Sequence, residues 1–343
     1  MQHAHGEDRH PKVGTHPENG TTWPNPALRP SLVPPPARDA APFHRALPGY
    51  APTPLRRLDA VARELGLAAV LVKDESRRLG LPAFKVLGAS WAVERTLREH
   101  PGTTTLVAAS AGNHGRAVAR VAADRGLACR VFLPARALPV RRAAIAGEGA
   151  EVVVVDGTYE DAVAAAQAAG AAPGARVIAD VGASGPARWV VDGYATLFDE
   201  AAAQAAFDVV VVPVGVGSLA AAAARHAAPA GARVVGVEPV TAACLTASLQ
   251  AGAPVRVPTP GTAMAGLDCA EVSPAAWPSL QRGVHATVTV ADEAVRAAMG
   301  ALEDAGLVIG ESGAAPLAAL RVLDLPPAAR VLLIATEGRT GAA

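Results

Sequence analysis

The sequence predicts an α/β protein in which helices cover mostly parallel sheets. Three observations carry that expectation. Strand-like and helix-like runs alternate from about Leu55 onward, the pattern of βα units. The valines at 152–155 and 209–212 form unbroken apolar runs, and a strand without in/out alternation is one buried on both faces. The 343 residues are 51% hydrophobic but only 3% aromatic, so Ala, Val and Leu must fill a large interior. Roughly 150 residues per domain makes this length suit about two domains.

Taken in order, PLRRLDAVARELG has apolar residues at helical spacing, AAVLVKD reads as a short strand, and 86–99 as a helix. Strand TTLVAAS, helix HGRAVARVAADRG, strand CRVFLP, helix LPVRRAAIAGEG, strand AEVVVVD and helix YEDAVAAAQAAG follow. A second series runs from RVIAD through a helix near 194–205, DVVVVPV, SLAAAAARHA, ARVVGVEP, a helix after Thr241, VTV and DEAVRAAMGALEDAG to ARVLLIATEG. Residues 1–40, rich in Pro, His, Asn and Thr without a hydrophobic period, are expected to form a flexible arm. Its His3, His5, His10 and His16 read as solvated side chains, and no metal site is expected.

Lys plus Arg and Asp plus Glu both number 31. No positive field exists to drive counterion release, which argues against a nucleic-acid partner. No apolar run approaches the roughly 20 residues that span a bilayer, and the polar opening lacks the apolar core of a secretory signal, so a cytoplasmic protein is expected. Cys129, Cys244 and Cys269 are odd in number and form no Cys-x-x-Cys pair; they read as reduced thiols in the packing.

DVVVVPV followed by Gly215-Val216-Gly217-Ser218-Leu219-Ala220 reads as strand, glycine turn and helix start. Such a turn brings backbone N–H groups and a helix N-terminus to an anion, with phosphate the natural guest. The same residues satisfy G-x-G-x-x-A, and Glu238 stands about 20 residues on, as in a dinucleotide site. Two ligands therefore fit the loop alone, a phosphate-bearing cofactor or NAD in an oxidoreductase.

LVKDESRRLGLPAFKVLGAS, containing Lys85, and VAASAGNHGRAVA, containing Asn113, resemble the pyridoxal-phosphate enzymes of fold type II, the family of threonine dehydratase, cysteine synthase and the tryptophan synthase β chain. Supporting runs, in the family's order, are GYATLFDEA, VGVGSLAAA, VEPVTAACL, TAMAGLDCAEVSPAAWPSL, GESGAAPLAAL and ATEGRT. Within the family they are most similar to the diaminopropionate ammonia-lyases. The resemblance runs from about Ala51 to Thr340. It implies two open twisted, mostly parallel sheets: a large cofactor domain from 41–87 and 194–343, and a small α/β domain at 88–193.

Pyridoxal phosphate needs a lysine for its Schiff base, a phosphate cradle and polar partners for its ring. Lys85 has apolar neighbours on both sides, and burial is expected to lower its pKa toward the nucleophilic amine. The resemblance makes Lys85 the cofactor lysine and Asn113 the partner of the ring hydroxyl, although Asn-His before a helix is also a common cap. It makes Gly215, Val216, Gly217, Ser218 and Leu219 the phosphate cradle and Glu238 a structural residue. Thr336 becomes the hydroxyl partner of the pyridine nitrogen, a weak electron sink suited to elimination. Ser110, Ala111, Gly112, Asn113 and His114 form the loop that grips the substrate carboxylate. Asp180 aligns with a proton-handling aspartate, or else caps a turn. Glu311 and Ser312 shape the far side of the cofactor or a monovalent-cation site, or else cap a helix.

The expected reaction is β-elimination from a small amino acid, foremost L-2,3-diaminopropionate, giving pyruvate and ammonia. In one respect the sequence departs from the ammonia-lyase pattern. Ala111 stands where those enzymes have the aspartate that serves the D-substrate, so the loop looks like that of serine and threonine dehydratases. Dehydration of serine or threonine, or β-replacement, on the same cofactor are the alternatives, and the resemblance suggests a homodimer.

Overall fold

The computed structural model describes residues 19–183 and 185–339. Numbered in chain order, the strands form two sheets. The seven-stranded sheet runs β1 (Thr22–Pro24), β10 (Ala286–Val290), β9 (Arg233–Pro239), β8 (Val209–Pro213), β11 (Arg330–Ala335), β3 (Ala69–Asp74) and β2 (Leu55–Arg57). Its five inner strands are parallel, and only the edges β1 and β2 pair antiparallel. The four-stranded sheet, β6 (Glu151–Val155), β5 (Ala128–Pro134), β4 (Thr105–Ala109) and β7 (Ala175–Val177), is parallel throughout.

The valine runs lie where their composition requires. Every residue of β8 is buried, and Val211 is in register with Val235 on one side and Leu333 on the other. Burying a Val or Leu stabilises by roughly 1.5–3 kcal/mol, whereas one methyl group contributes about 0.8. An alanine-rich interior therefore depends on close approach. In the Ser218–Ala230 helix Ala220 through Ala224 are all buried. The Lys85–Glu99 and Gly185–Gly193 helices meet almost backbone to backbone: a Cβ on Gly193 would stand 2.6 Å from the Leu87 carbonyl, and one on Gly88 2.6 Å from the Tyr194 ring. Tyr194 thereby reaches the base of the helix that begins with Lys85.

Three expectations are corrected. From Asn19 on, the stretch expected to be a flexible arm is built into the large sheet. Thr22 pairs with Val288, and the Asn25 amide donates to the Gln281 and Val284 carbonyls at 2.8 and 2.6 Å. The apolar register that the arm lacks is replaced by backbone pairing. Leu55–Arg57, read as the start of a helix, is an edge strand, and the helix runs only over Asp59–Glu64. β7 stops at Val177, so Asp180 lies beyond the strand rather than ending it. His3, His5, His10 and His16 lie outside the described residues. Among the described residues no helix is long and apolar enough to cross a membrane, and no group of three or more His, Cys, Asp or Glu is placed to hold a metal ion.

Candidate active site

The residues singled out in the sequence collect at one place for a topological reason. Ser110–His114 follows β4, Asp180 follows β7, the Gly215 loop follows β8 and Thr336 follows β11. All four segments leave the carboxyl ends of parallel strands, where open α/β sheets form their ligand crevices.

Lys85 is the first residue of the Lys85–Glu99 helix. Its Nζ donates to Asp180 Oδ2 at 3.2 Å, the two side chains being 23% and 15% exposed. Burial pushes the Lys85 ammonium down, as expected, but the Asp180 charge and the hydrogen bond to it outweigh burial and hold it above the ordinary lysine value. The expectation of a lowered Lys85 pKa is thus corrected by its carboxylate partner. Burial likewise disfavours the Asp180 carboxylate, but His114 and Lys85 prevail and keep it below the usual range.

His114 is 3% exposed, so its side chain is buried where the Ser110–His114 loop enters its helix. Nε2 lies 2.8 Å from the Ile178 carbonyl. That oxygen only accepts, so Nε2 carries a hydrogen. Nδ1 has no hydrogen-bond partner and stands 3.9 Å from Asp180 Oδ2. The Tyr194 hydroxyl is buried next to Lys85, and burial pushes it up to about 12 against the pull of Lys85. His114 Nδ1 is thus an unpaired polar atom at the edge of the Lys85–Asp180 pair.

Gly215 and Gly217 form the turn expected of them. Gly217 has φ +89°, and a Cβ there would collide with Leu280 at 2.5 Å; one on Gly215 would stand 2.6 Å from the Gly266 carbonyl. The helix that follows, Ser218–Ala230, has no side-chain cap at its N-terminus, leaving N–H groups for an anion. Ser218 Oγ donates to the Asp180 carbonyl at 3.3 Å, tying the glycine loop to the aspartate. Thr336 is 5% exposed, and its carbonyl accepts from Phe84 N at 3.3 Å, beside Lys85. Glu238 is buried and caps the Cys244–Ala251 helix, accepting from the N–H groups of Leu245 and Thr246 and from Thr246 Oγ1. Pointing into that helix, it offers nothing to a ribose.

In the carboxylate loop, Ser110 Oγ accepts from Gly112 N at 3.2 Å, and Ala111 is half-buried. A Cβ on Gly115 would stand 2.3 Å from the Ser110 carbonyl, so the second glycine of Gly-Asn-His-Gly is what folds the loop onto its helix. Ser312 Oγ accepts from Gly266 N at 3.2 Å, while Glu311 opens the Glu311–Leu320 helix half-buried. Two residues of the site were missed. Glu337 accepts from Asn113 Nδ2 at 2.7 Å, and burial pushes its carboxyl up. Tyr159, 37% exposed, donates to the Ala109 carbonyl at 3.3 Å beside the Ser110–His114 loop. Its available signal was the Thr158–Asp161 capping box, which starts a helix at Tyr159.

Comparison with known proteins bears on the cofactor. The profile of the family described as "pyridoxal-phosphate dependent enzyme" matches residues 46–337. Diaminopropionate ammonia-lyase of Escherichia coli strain K12 is 32% identical over 352 residues, covering 89% of this chain and 88% of that protein. The biosynthetic L-threonine dehydratase of the same strain is 31% identical over 274 residues, 78% of this chain and 52% of that one. The crystal structure of the Escherichia coli diaminopropionate ammonia lyase with an aminoacrylate–PLP azomethine reaction intermediate superimposes with a TM-score of 0.86 at 30% identity, over 93% of both chains.

Proposed function

Because the chain belongs to the pyridoxal-phosphate dependent enzymes, we propose that it is an ammonia-lyase that eliminates the β-substituent of a small amino acid, with L-2,3-diaminopropionate as substrate and pyruvate and ammonia as products. The observation that carries this reading is the 3.2 Å contact between Lys85 Nζ and Asp180 Oδ2 at the crevice. It sets a proton-handling carboxylate against the amine that anchors the cofactor.

The residues fit pyridoxal phosphate. The glycine turn whose Cβ positions would collide, and the uncapped helix N-terminus behind it, suit the phosphate. Lys85 would anchor the cofactor, Asn113 would meet its ring hydroxyl and Thr336 its ring nitrogen. When bound, the cofactor serves as the electron sink that makes the α-hydrogen of an attached amino acid acidic.

The chain's own groups supply the rest. Ser110, Gly112 and the N–H groups opening the Asn113–Asp124 helix hold the substrate carboxylate. Asp180 is ionised, and accepts or returns a proton at Oδ2. Lys85 Nζ, within hydrogen-bond reach, exchanges that proton with it. A β-amino group leaves only as ammonium or ammonia, so the same pair can hand it a proton. His114, 3.9 Å from Asp180 Oδ2, favours its ionised form.

A second reading, dehydration of L-serine or L-threonine, is favoured by Ala111, which leaves the carboxylate loop without an acid of its own. Assay of 2-oxo acid and ammonia from L-2,3-diaminopropionate, L-serine and L-threonine distinguishes them. The proposal expects the highest kcat/KM with diaminopropionate and two ammonia per pyruvate. Faster turnover of a hydroxy amino acid would replace it with the dehydratase reading, and product only with an added nucleophile would indicate β-replacement. The proposal includes a cytoplasmic homodimer. Three free thiols, Cys129, Cys244 and Cys269, agree with a reducing compartment, and the homodimer rests on the family resemblance.

A further inference from the structure

Glu337 stands one residue past Thr336 on the large-sheet side, whereas Asn113 opens the helix after β4 of the small sheet. Their side chains meet across that divide at 2.7 Å, Asn113 Nδ2 donating to Glu337 Oε2. Burial of the Glu337 carboxyl is opposed by Ser312, at the start of the Glu311–Leu320 helix, and by Asn113. Ser312 is 2% exposed and fixed by Gly266 N on its Oγ. The acceptor that Asn113 meets thus stands just past β11 of the large sheet, beside a buried helix start.

An asparagine amide presents an oxygen on one side and a nitrogen with two hydrogens on the other, and either orientation fills the same space. In the structure it is Nδ2 that faces Glu337 Oε2, and an oxygen accepting there admits the amide nitrogen and repels the amide oxygen. We propose that Glu337 is a positioning residue that fixes the Asn113 amide, with one N–H on Glu337 and the second N–H left for the ring hydroxyl of the cofactor. Glu337 thereby holds the small-sheet loop in register with a cofactor anchored on the large sheet. The inference rests on Asn113 facing that hydroxyl, and goes beyond it by assigning what orients the amide.

The test uses the purified holoenzyme and four variants: Glu337→Gln, Glu337→Asp, Asn113→Ala and the double variant Asn113→Ala/Glu337→Gln. The absorption maximum of the bound cofactor, the affinity of the apoprotein for pyridoxal phosphate, and Tm are measured for each. Glu337→Gln keeps an acceptor for Ser312 but brings its own N–H group against the amide. It is expected to shift the visible band in the direction of Asn113→Ala and to weaken cofactor binding about tenfold or more, the scale of one hydrogen bond to a charged group, with Tm nearly unchanged. Glu337→Asp, which keeps the charge but withdraws it by a methylene, should shift the band less than Glu337→Gln. In the double variant the shift should equal that of Asn113→Ala alone, because the two residues act through one amide. Additive shifts, or an unmoved band in both Glu337 variants when Asn113→Ala moves it, would overturn the proposal and leave Glu337 as a helix cap. An unmoved band in Asn113→Ala would instead remove Asn113 from the cofactor, and the proposal with it.

Discussion

Arg78 grips Glu200 with both ends of its guanidinium, Nη1 to Oε1 at 2.7 Å and Nη2 to Oε2 at 2.9 Å, in a region closed to solvent. Lys73 adds a contact to Glu200 at 2.8 Å, and Glu75 completes the coordination of Arg78. The cluster joins β3, the Ala195–Gln204 helix and the approach to Lys85. Burial disfavours the Glu200 charge, but Arg78 and Lys73 overcome that and bring its pKa down from 4.5 to about 2. A carboxyl depressed in the fold stabilises fully above its unfolded value, and that contribution is lost as pH falls from about 4.5 through 2. Glu200→Ala, which leaves buried Lys73 without its carboxylate partner and Arg78 with only Glu75, is expected to cost about 3–5 kcal/mol in urea unfolding at pH 7; a loss below 1 kcal/mol would show that the cluster is dispensable.

His44 adds acid sensitivity at higher pH. It is fully buried, with Nδ1 2.7 Å from Thr196 Oγ1 and Nε2 2.9 Å from the Leu87 carbonyl. Burial, against the opposing effect of the Leu87 carbonyl, lowers its pKa from 6.5 to about 4. The imidazole is therefore neutral in the fold, and protonation favours the unfolded chain. Stability should be level above about pH 6.5 and fall toward pH 4, by about 3 kcal/mol in total at 1.36 kcal/mol per unit. His44→Gln should remove this slope between pH 7 and 5 while lowering stability throughout, and a slope identical to that of the parent would assign it to other groups.

Deletion of residues 1–32 should destabilise the protein. It strips β1 from β10 and unpairs the carbonyls that Asn25 satisfies. One buried and one part-buried hydrogen bond at about 1 kcal/mol each set the scale near 2 kcal/mol, enough to lower Tm by several degrees. Asn25→Ala should reproduce part of the loss, and an unchanged Tm in both would return the segment to the status of a loose arm.

How far the sequence could be read depended on what carries each feature. Parallel strands such as β8 announce themselves, because burial on both faces demands consecutive valines. β1 does not, since Thr22–Pro24 is held by backbone pairing with a partner some 260 residues away and needs no apolar pattern. Lys85 and Asp180 were singled out by the resemblance of the motifs around them, and the Gly215 turn by glycines that the tight backbone there requires. Glu337 and Tyr159 were not, because a glutamate after a strand and a tyrosine after a helix cap have many ordinary uses. The raised Lys85 pKa was hidden for a related reason: burial is visible in local apolar neighbours, but Asp180, its partner, is 95 positions away.

Lys85→Ala should abolish turnover and the visible band of the bound cofactor, because no Schiff base can form at alanine. Lys85 lies at the start of its helix and is partly exposed, so the fold should survive, with far-UV circular dichroism unchanged. Retained wild-type activity would contradict the cofactor assignment.

Stereochemical preference follows from Ala111. With the carboxylate and the amino nitrogen of the substrate held fixed, the α-hydrogens of D- and L-isomers project to opposite faces, and each needs a base on its own side. Asp180 and Lys85, paired at 3.2 Å, supply one face. The Ser110–His114 loop supplies no carboxylate to the other: Ala111 is a methyl group, and Asn113 is engaged with Glu337. Elimination from L-2,3-diaminopropionate is therefore expected to exceed that from the D-isomer by at least about a hundredfold in kcat/KM, the scale of losing a general base. Ala111→Asp should raise the D-rate by giving the loop a carboxylate at a half-buried position. Comparable rates for both isomers in the parent enzyme would defeat this account, and would make Glu337, the carboxylate beside Asn113, the next base to remove.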